Sequence, residues 1–319
     1  MKALQESVLA LSGGVGGAKL ALGLADVLPP GQLHVLANTG DDFRHLGLHI
    51  SPDIDTLLYT LSGKANEVLG WGLAGETWSV MDALERLRGD TWFRLGDNDL
   101  ATHLWRTAQI EEGASLLQIT DTLARQLGIH SHIHPMCEER VSTIVHSEGR
   151  NLPFQHYFVR EQCKPPVTGF SFEGIAQASP NPNVMALLAD EAFSAIVVCP
   201  SNPFVSVDPI LQIPQMWTTL RDSAARLVLV SPIVGGIALK GPAAKMMSEL
   251  GVPVTALGVA QHYCDLYPDL LDCFVIDESD ATLAPDIASL GVEVVIAPTI
   301  MNNLGDKQRL AQCVLGLVG

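Results

Sequence analysis

The segment Ser12-Gly13-Gly14-Val15-Gly16-Gly17-Ala18-Lys19 constrains this chain more than any other. It follows a short apolar run at 8–11 and leads into an Ala/Leu-rich stretch with helical spacing over 17–28, which Pro29-Pro30-Gly31 ends. A second apolar run follows at 33–37. Strand, tight turn, helix, strand is a βαβ unit, and it commits the two strands to a parallel sheet. Gly13, Gly14, Gly16 and Gly17 let the backbone approach a ligand closely, and the helix that follows offers unpaired N–H groups to an anion. The loop is thus a candidate phosphate cradle, although it matches neither common motif. A P-loop carries Gly-Lys before Ser or Thr, and a dinucleotide fingerprint counted from Gly14 needs Gly or Ala where Lys19 stands. A tight turn that binds nothing is the competing reading.

The same rhythm resumes in the second half. Residues 195–199, 226–230, 253–257, 273–276 and 292–296 read as strands, and 242–250, 281–290 and 304–317 as helices. The middle differs: 100–109 and 116–127 have helical spacing, while 141–145 and 154–159 alternate like antiparallel strands. The expectation is an α/β fold with a Rossmann-like, doubly wound, mainly parallel sheet. Residues 1–60 and 179–319 would form its core, and 61–178 an inserted cap over the carboxyl edge of the sheet.

Charge and cysteine usage narrow the function. No apolar run reaches the roughly 18–20 residues needed to span a membrane. Residues 1–11 lack the features of a signal peptide, so a cytoplasmic location is expected. The six cysteines form no C-x-x-C pair, which argues against a zinc site or a disulfide framework. A net charge of −16 disfavours nucleic acid and anionic membranes as partners. It also means that a phosphorylated substrate must be held by backbone N–H groups, a few placed cations and a divalent metal.

Several polar turns are candidates for that work. Asn38-Thr39-Gly40-Asp41-Asp42 lies at the carboxyl end of the second strand, where parallel sheets bind ligands. Its amide and hydroxyl suit a ribose or base, and its carboxylates a metal or ribose hydroxyls; a hydrogen-bonded turn is the alternative. Ser51-Pro52-Asp53-Ile54-Asp55-Thr56 has an N-cap and a proline at the first helical position, and its two aspartates suit either the helix end or Mg²⁺. Asp97, Asn98 and Asp99 bracket another turn, in which Asp97 is equally a helix N-cap. Ser201 and Asn202 end a buried strand in a proline-stiffened turn, and Lys240 supplies a cation beyond the Gly235-Gly236 turn. His130, His132 and His134 would share one face of a strand, more simply as bonded imidazoles than as metal ligands.

Taken together and in order, these segments resemble the 2-phospho-L-lactate transferase family of coenzyme F(420) biosynthesis. The resemblance rests on residues 12–20, 38–42, 51–60, Gly70-Trp71-Gly72 with Glu76-Thr77, 95–99 with Thr102-His103, Pro135-Met136, 199–204 and 231–243. It implies a Rossmann-type sheet with a cap and a requirement for Mg²⁺. It also implies transfer of a phospholactyl, phosphoenolpyruvyl or phosphoglyceryl group from its GDP-activated form to the hydroxyl of the deazaflavin Fo, with release of GMP. A guanylyltransferase would supply the donor, the cap would bind the acceptor, and family habit favours a homodimer.

Carried onto this chain, the glycine loop and Lys19 would hold the donor phosphates. Asp53 and Asp55 would hold the metal, with Asp55 or Asp97 taking the acceptor's proton. Asp41, Asp42 and Asp97 would be supporting ligands or hydroxyl partners, Asn38 and Thr39 would bind substrate, and Ser201, Asn202 and Lys240 would line the nucleotide site. Asn98 stands where some relatives carry a basic residue, which weakens its assignment to the acceptor. Two rivals remain: a non-catalytic regulator of similar fold that binds a nucleotide sugar, and an NAD-dependent dehydrogenase. Lys19 and Asn38 count against the dehydrogenase.

Overall fold

The computed structural model describes residues 7–238 and 241–318. Its strands in chain order are β1 (Ser7–Ser12), β2 (Leu33–Ala37), β3 (Phe43–His45), β4 (Leu48–Ile50), β5 (His132–Pro135), β6 (Ser142–Ser147) and β7 (Arg150–Pro153). They continue with β8 (Gly169–Glu173), β9 (Phe193–Val198), β10 (Arg226–Val230), β11 (Ile233–Val234), β12 (Ile237–Ala238), β13 (Cys273–Ile276) and β14 (Glu293–Ile296). Seven of these form one parallel sheet in the order β14-β13-β10-β9-β1-β2-β5. The order reverses direction between β1 and β9, and in sheets of this kind ligands bind outside the carboxyl ends of the strands at such a switch point.

Both faces of the sheet are covered, which is why its strands read as unbroken apolar runs. Leu9 and Leu11 of β1 point into one core cluster with Ile196 and Val198, while Val8 and Ala10 point into the other with Ala195 and Val197. Helix α1 (Gly14–Val27) lies on the second face with the helix Leu304–Gly316. The expected doubly wound architecture is thus observed.

The middle of the chain departs from expectation in three places. Residues 61–178 do not leave the sheet as one insertion, because β5 returns to pair with β2, His34 opposite His132 and Ala37 opposite Pro135. Helices α2 (Pro52–Leu61) and α5 (Leu116–Gln126) pack into the sheet's own core through Ile54, Leu57, Leu58, Ile119 and Leu123, while α3 (Ser79–Arg86), α4 (Asp97–Glu111) and the antiparallel sheet β7-β6-β8 are additions to the seven strands. Residues 154–159 are not a strand: Phe154 and Tyr157, three apart, are both buried, and a π-helical turn covers His156–Arg160. Nor are 253–257 a strand. The Thr255 hydroxyl accepts the Gly258 N–H and caps the helix Ala256–Leu266.

The histidines on β5 are part of this sheet edge. His132 and His134 stack on His34 of β2 with ring centroids 4.6 and 5.3 Å away, and His34 Nδ1 lies 3.0 Å from His134 Nε2. Burial pulls His34 down to about 4 and His134 to about 3, so both are neutral packing groups near pH 7. His130 lies before the strand and is exposed.

Candidate active site

Four chain segments meet at the switch point: the glycine loop after β1, the acidic turn after β2, the start of α2, and the turn after β9. The loop is tight because its glycines are pressed against this chain as well as open to a ligand. A Cβ on Gly16 would collide with the Pro200 carbonyl, and one on Gly17 with the hydroxyls of Ser12 and Ser201. Gly14 has φ +65°, a conformation costly for other residues, and from it α1 begins after Gly13, an N-cap residue with no side chain to bond the helix's free N–H groups. Ser201 fastens the loop from the far side, accepting the Gly13 N–H at 3.1 Å and donating to the Gly13 carbonyl at 2.8 Å.

The acidic turn faces this loop. Asn38 organises it, accepting the Gly40 N–H at 2.8 Å through Oδ1 and donating to Asp53 Oδ2 at 2.9 Å and the Val205 carbonyl at 3.2 Å. Asp53 Oδ1 accepts the Gly14 N–H at 2.7 Å, so a carboxylate of the chain itself sits at the positive end of α1. Asp42 Oδ2 accepts from Ser51 at 2.7 Å and lies 3.2 Å from His49 Nε2. Asp41 Oδ1 and Asp42 Oδ1 are buried and have no partner. Burial, then repulsion from Asp53 and Asp42, holds Asp41 well above the usual carboxylate range; burial likewise raises Asp42, and lifts Asp53 to about 6. Thr39, beside them, is buried with Oγ1 3.9 Å from Cys137 Sγ.

These residues fit a hard divalent cation in chemistry: three carboxylates on two neighbouring turns, with two of their buried oxygens unpartnered. They are not preassembled for it. Among the described residues, no group of three or more His, Cys, Asp or Glu side chains stands ready to hold a metal ion.

Asp55 stands apart from the role expected of it. Both of its oxygens are taken by Arg106 of α4, with Nη1 3.1 Å from Oδ2 and Nη2 in closer contact with Oδ1. Arg106 is fully buried and also lies 3.2 Å from His103 Nδ1, whose Nε2 is 3.1 Å from Asp99 Oδ1. The Tyr59 hydroxyl donates to Asp99 at 2.6 Å. Burial works to raise Asp99, but its bond and proximity to His103 and its bond from Tyr59 outweigh it and bring Asp99 below the usual range. Asp55 is therefore committed to an ion pair with Arg106 in this structure. Arg106 was not anticipated, although Asp99, His103 and Arg106 recur at helical spacing and so share one face of α4.

Other expected site residues also have structural partners. Asp97 accepts the N–H groups of Ser79 and Val80 at 3.0 and 3.1 Å and the Thr77 hydroxyl, bonds that lower it below the usual range, so it caps α3 rather than entering the crevice. Glu76 reciprocates, accepting the N–H groups of Asn98 and Asp99 at the start of α4, and Asn98 Nδ2 lies 3.1 Å from the same carboxylate. Lys19 Nζ donates to the Met301 carbonyl at 3.0 Å. Asn202 accepts the Phe204 N–H and caps the π-helical turn Pro203–Val207. Lys240 lies outside the described residues.

A glycine loop opening a helix, at the switch point of a doubly wound sheet and facing buried acids, defines a phosphate-handling α/β protein. The particular family follows from comparison. Residues 8–300 match the model of the family 2-phospho-L-lactate transferase CofD, and the chain belongs to that family. Three relatives are similar over nearly their whole lengths. The 2-phospho-L-lactate transferase of Methanosarcina mazei is 35% identical, covering 97% of this chain and 99% of its own. That of Methanopyrus kandleri is 38% identical, over 97% and 96%. The phosphoenolpyruvate transferase of Kitasatospora aureofaciens is 36% identical, over 97% of each. A solved structure from the UPF0052 family of Bacillus halodurans aligns with TM-score 0.65 at 14% identity over 99% of both chains, which supports the fold. Among the described residues no helix is long and apolar enough to cross a membrane.

Proposed function

We propose that this protein transfers a phospholactyl, phosphoenolpyruvyl or phosphoglyceryl group from its GDP-activated form to the hydroxyl of the deazaflavin Fo. The products are GMP and the coenzyme F(420)-0 precursor. Membership of a family whose members carry both phospholactate and phosphoenolpyruvate transferase names supports the donor class. The observation that carries the reading in this chain is the pair of buried carboxylate oxygens without a partner, Asp41 Oδ1 and Asp42 Oδ1, in the turn that Asn38 ties to Asp53 and so to the glycine loop.

The acceptor oxygen attacks the phosphorus bearing the three-carbon acid, the bond from that phosphorus to the bridging oxygen breaks, and GMP departs with that oxygen. Alignment and neutralisation of phosphate charge do most of the work in such transfers. N–H groups of the glycine loop contribute to the second, and Ser201 keeps that loop in place. Asp41, Asp42 and Asp53 are the residues that would hold Mg²⁺, which when bound offsets charge on the phosphate oxygens. A member of the same cluster is also the candidate proton acceptor, since burial and the repulsion of Asp53 and Asp42 strengthen the hold of Asp41 on a proton. That role passes from Asp55, which Arg106 occupies. The reaction is cytoplasmic in this reading and depends on a guanylyltransferase that makes the donor.

The test is a coupled assay with Fo, Mg²⁺, GTP, a partner guanylyltransferase and, in separate reactions, phospholactate, phosphoenolpyruvate and 3-phosphoglycerate. A new deazaflavin product with stoichiometric GMP is expected with at least one acid. No product with any acid, together with tight binding of a uridine nucleotide sugar, would replace this reading with the regulator.

A further inference from the structure

We infer that Asp53 is a built-in occupant of the anion site at the start of α1, and that a divalent cation must draw it away before donor phosphates can settle on the glycine loop. The inference rests on the transferase reading for the identity of the donor, but the contacts that motivate it are internal to the chain. Gly14 supplies the first N–H of α1, the group best placed for a phosphate oxygen, and Asp53 Oδ1 already accepts it at 2.7 Å. The second oxygen of Asp53 is held by Asn38 at 2.9 Å, and the side chain is buried. A Cβ on Gly13 would meet Asp53 Oδ2 and Ser206, so the loop and this carboxylate are in close contact.

A carboxylate and a phosphate oxygen cannot share one N–H, and their like charges repel at that distance. Asp53 therefore competes with the donor as the structure stands. Across from it, Asp41 and Asp42 each carry a buried oxygen without a partner, and no set of three ligands is assembled. Asp53 hydrogen-bonds to Asn38, whose Oδ1 accepts the N–H of Gly40 immediately before the pair, so it stands beside the turn that carries Asp41 and Asp42 and is a source of a further ligand. Turning Asp53 toward that pair serves two ends: it completes the oxygen cluster and releases the Gly14 N–H. Cation and donor then bind cooperatively, because each favours the same position of one side chain. The acid that would repel the substrate in the metal-free protein becomes part of what attracts it.

Calorimetry with GDP and with inorganic pyrophosphate, in EDTA and in Mg²⁺, tests this on the wild-type protein and on Asp53→Asn and Asp53→Ala. Circular dichroism and thermal melting establish that the variants are folded. In EDTA the wild type should bind both probes weakly and the folded variants about tenfold more tightly, reflecting loss of a charged competitor. Mg²⁺ should tighten binding to the wild type by more than it does for either variant. Folded variants that bind pyrophosphate in EDTA no better than wild type overturn the inference. If pyrophosphate follows the predicted pattern and GDP binds under no condition, the gate stands and the guanosine donor falls. A measurement without variants guards against misfolding: Mg²⁺ alone should speed hydrogen exchange at the Gly14 amide, and unchanged exchange at saturating Mg²⁺ contradicts the account.

Discussion

Asp53 and Asp55 are two residues apart at the start of the same helix, both buried, and the protein treats them in opposite ways. Two residues along a helix turn a side chain through about 200°. One carboxylate therefore faces the glycine loop and the acids after β2, while the other faces α4. On the α4 side every acid has a cation or donor from the chain: Asp55 has Arg106, and Asp99 has His103 and Tyr59. On the loop side Asp41 and Asp53 have polar neighbours but no ion pair, Asp42 has His49 beside it and feels Arg106, and the Oδ1 atoms of Asp41 and Asp42 have no partner. Keeping charge unbalanced inside a protein costs stability, so a fold that does so next to its ligand crevice is holding a place for something else. The balanced network behind it fixes the helix from which Asp53 projects.

The largest effect should come from breaking the balanced side. Arg106→Ala leaves Asp55 buried without its partner, and urea denaturation should show a loss of about 3–5 kcal/mol. A loss within experimental error of zero would mean that the pair is not the anchor of α2. The unbalanced side should respond with a smaller effect of opposite sign. Asp53, at about 6 against an ordinary 3.8, binds its proton more tightly in the folded protein. Its contribution to stability is complete below pH 3.8 and lost as pH rises through about 6. Metal-free protein should thus gain about 1 kcal/mol or more from this group on going from pH 7 to pH 5. Asp53→Asn should remove that gain; an identical pH profile in the variant would show that Asp53 is ionised and satisfied throughout.

Much of the fold was legible because it is periodic. Strands buried on both faces read as apolar runs, and the helices between them carried proline and glycine stops. The strand β5 was hidden because its two histidines look polar, and only the stack with His34 across the sheet makes them fit this sheet edge. The site was legible as a set of acidic turns but not as roles. Asp53 and Asp55 look equivalent in sequence, and what separates them is Arg106, 51 residues beyond Asp55. Asp97 and Glu76 were similarly opaque, since the reciprocal capping that employs them joins helix starts some twenty residues apart.

The central claim is that the unpaired acids after β2 are where this protein takes on positive charge from outside. Titration of the purified, metal-free protein with Mg²⁺ by calorimetry, beside Asp41→Asn and the double variant Asp41→Asn/Asp42→Asn, tests it most directly. The account predicts saturable binding at one site per chain in the wild type, weakened in the single variant and abolished in the double variant, with the fold unchanged. Binding of equal strength in all three proteins would contradict it.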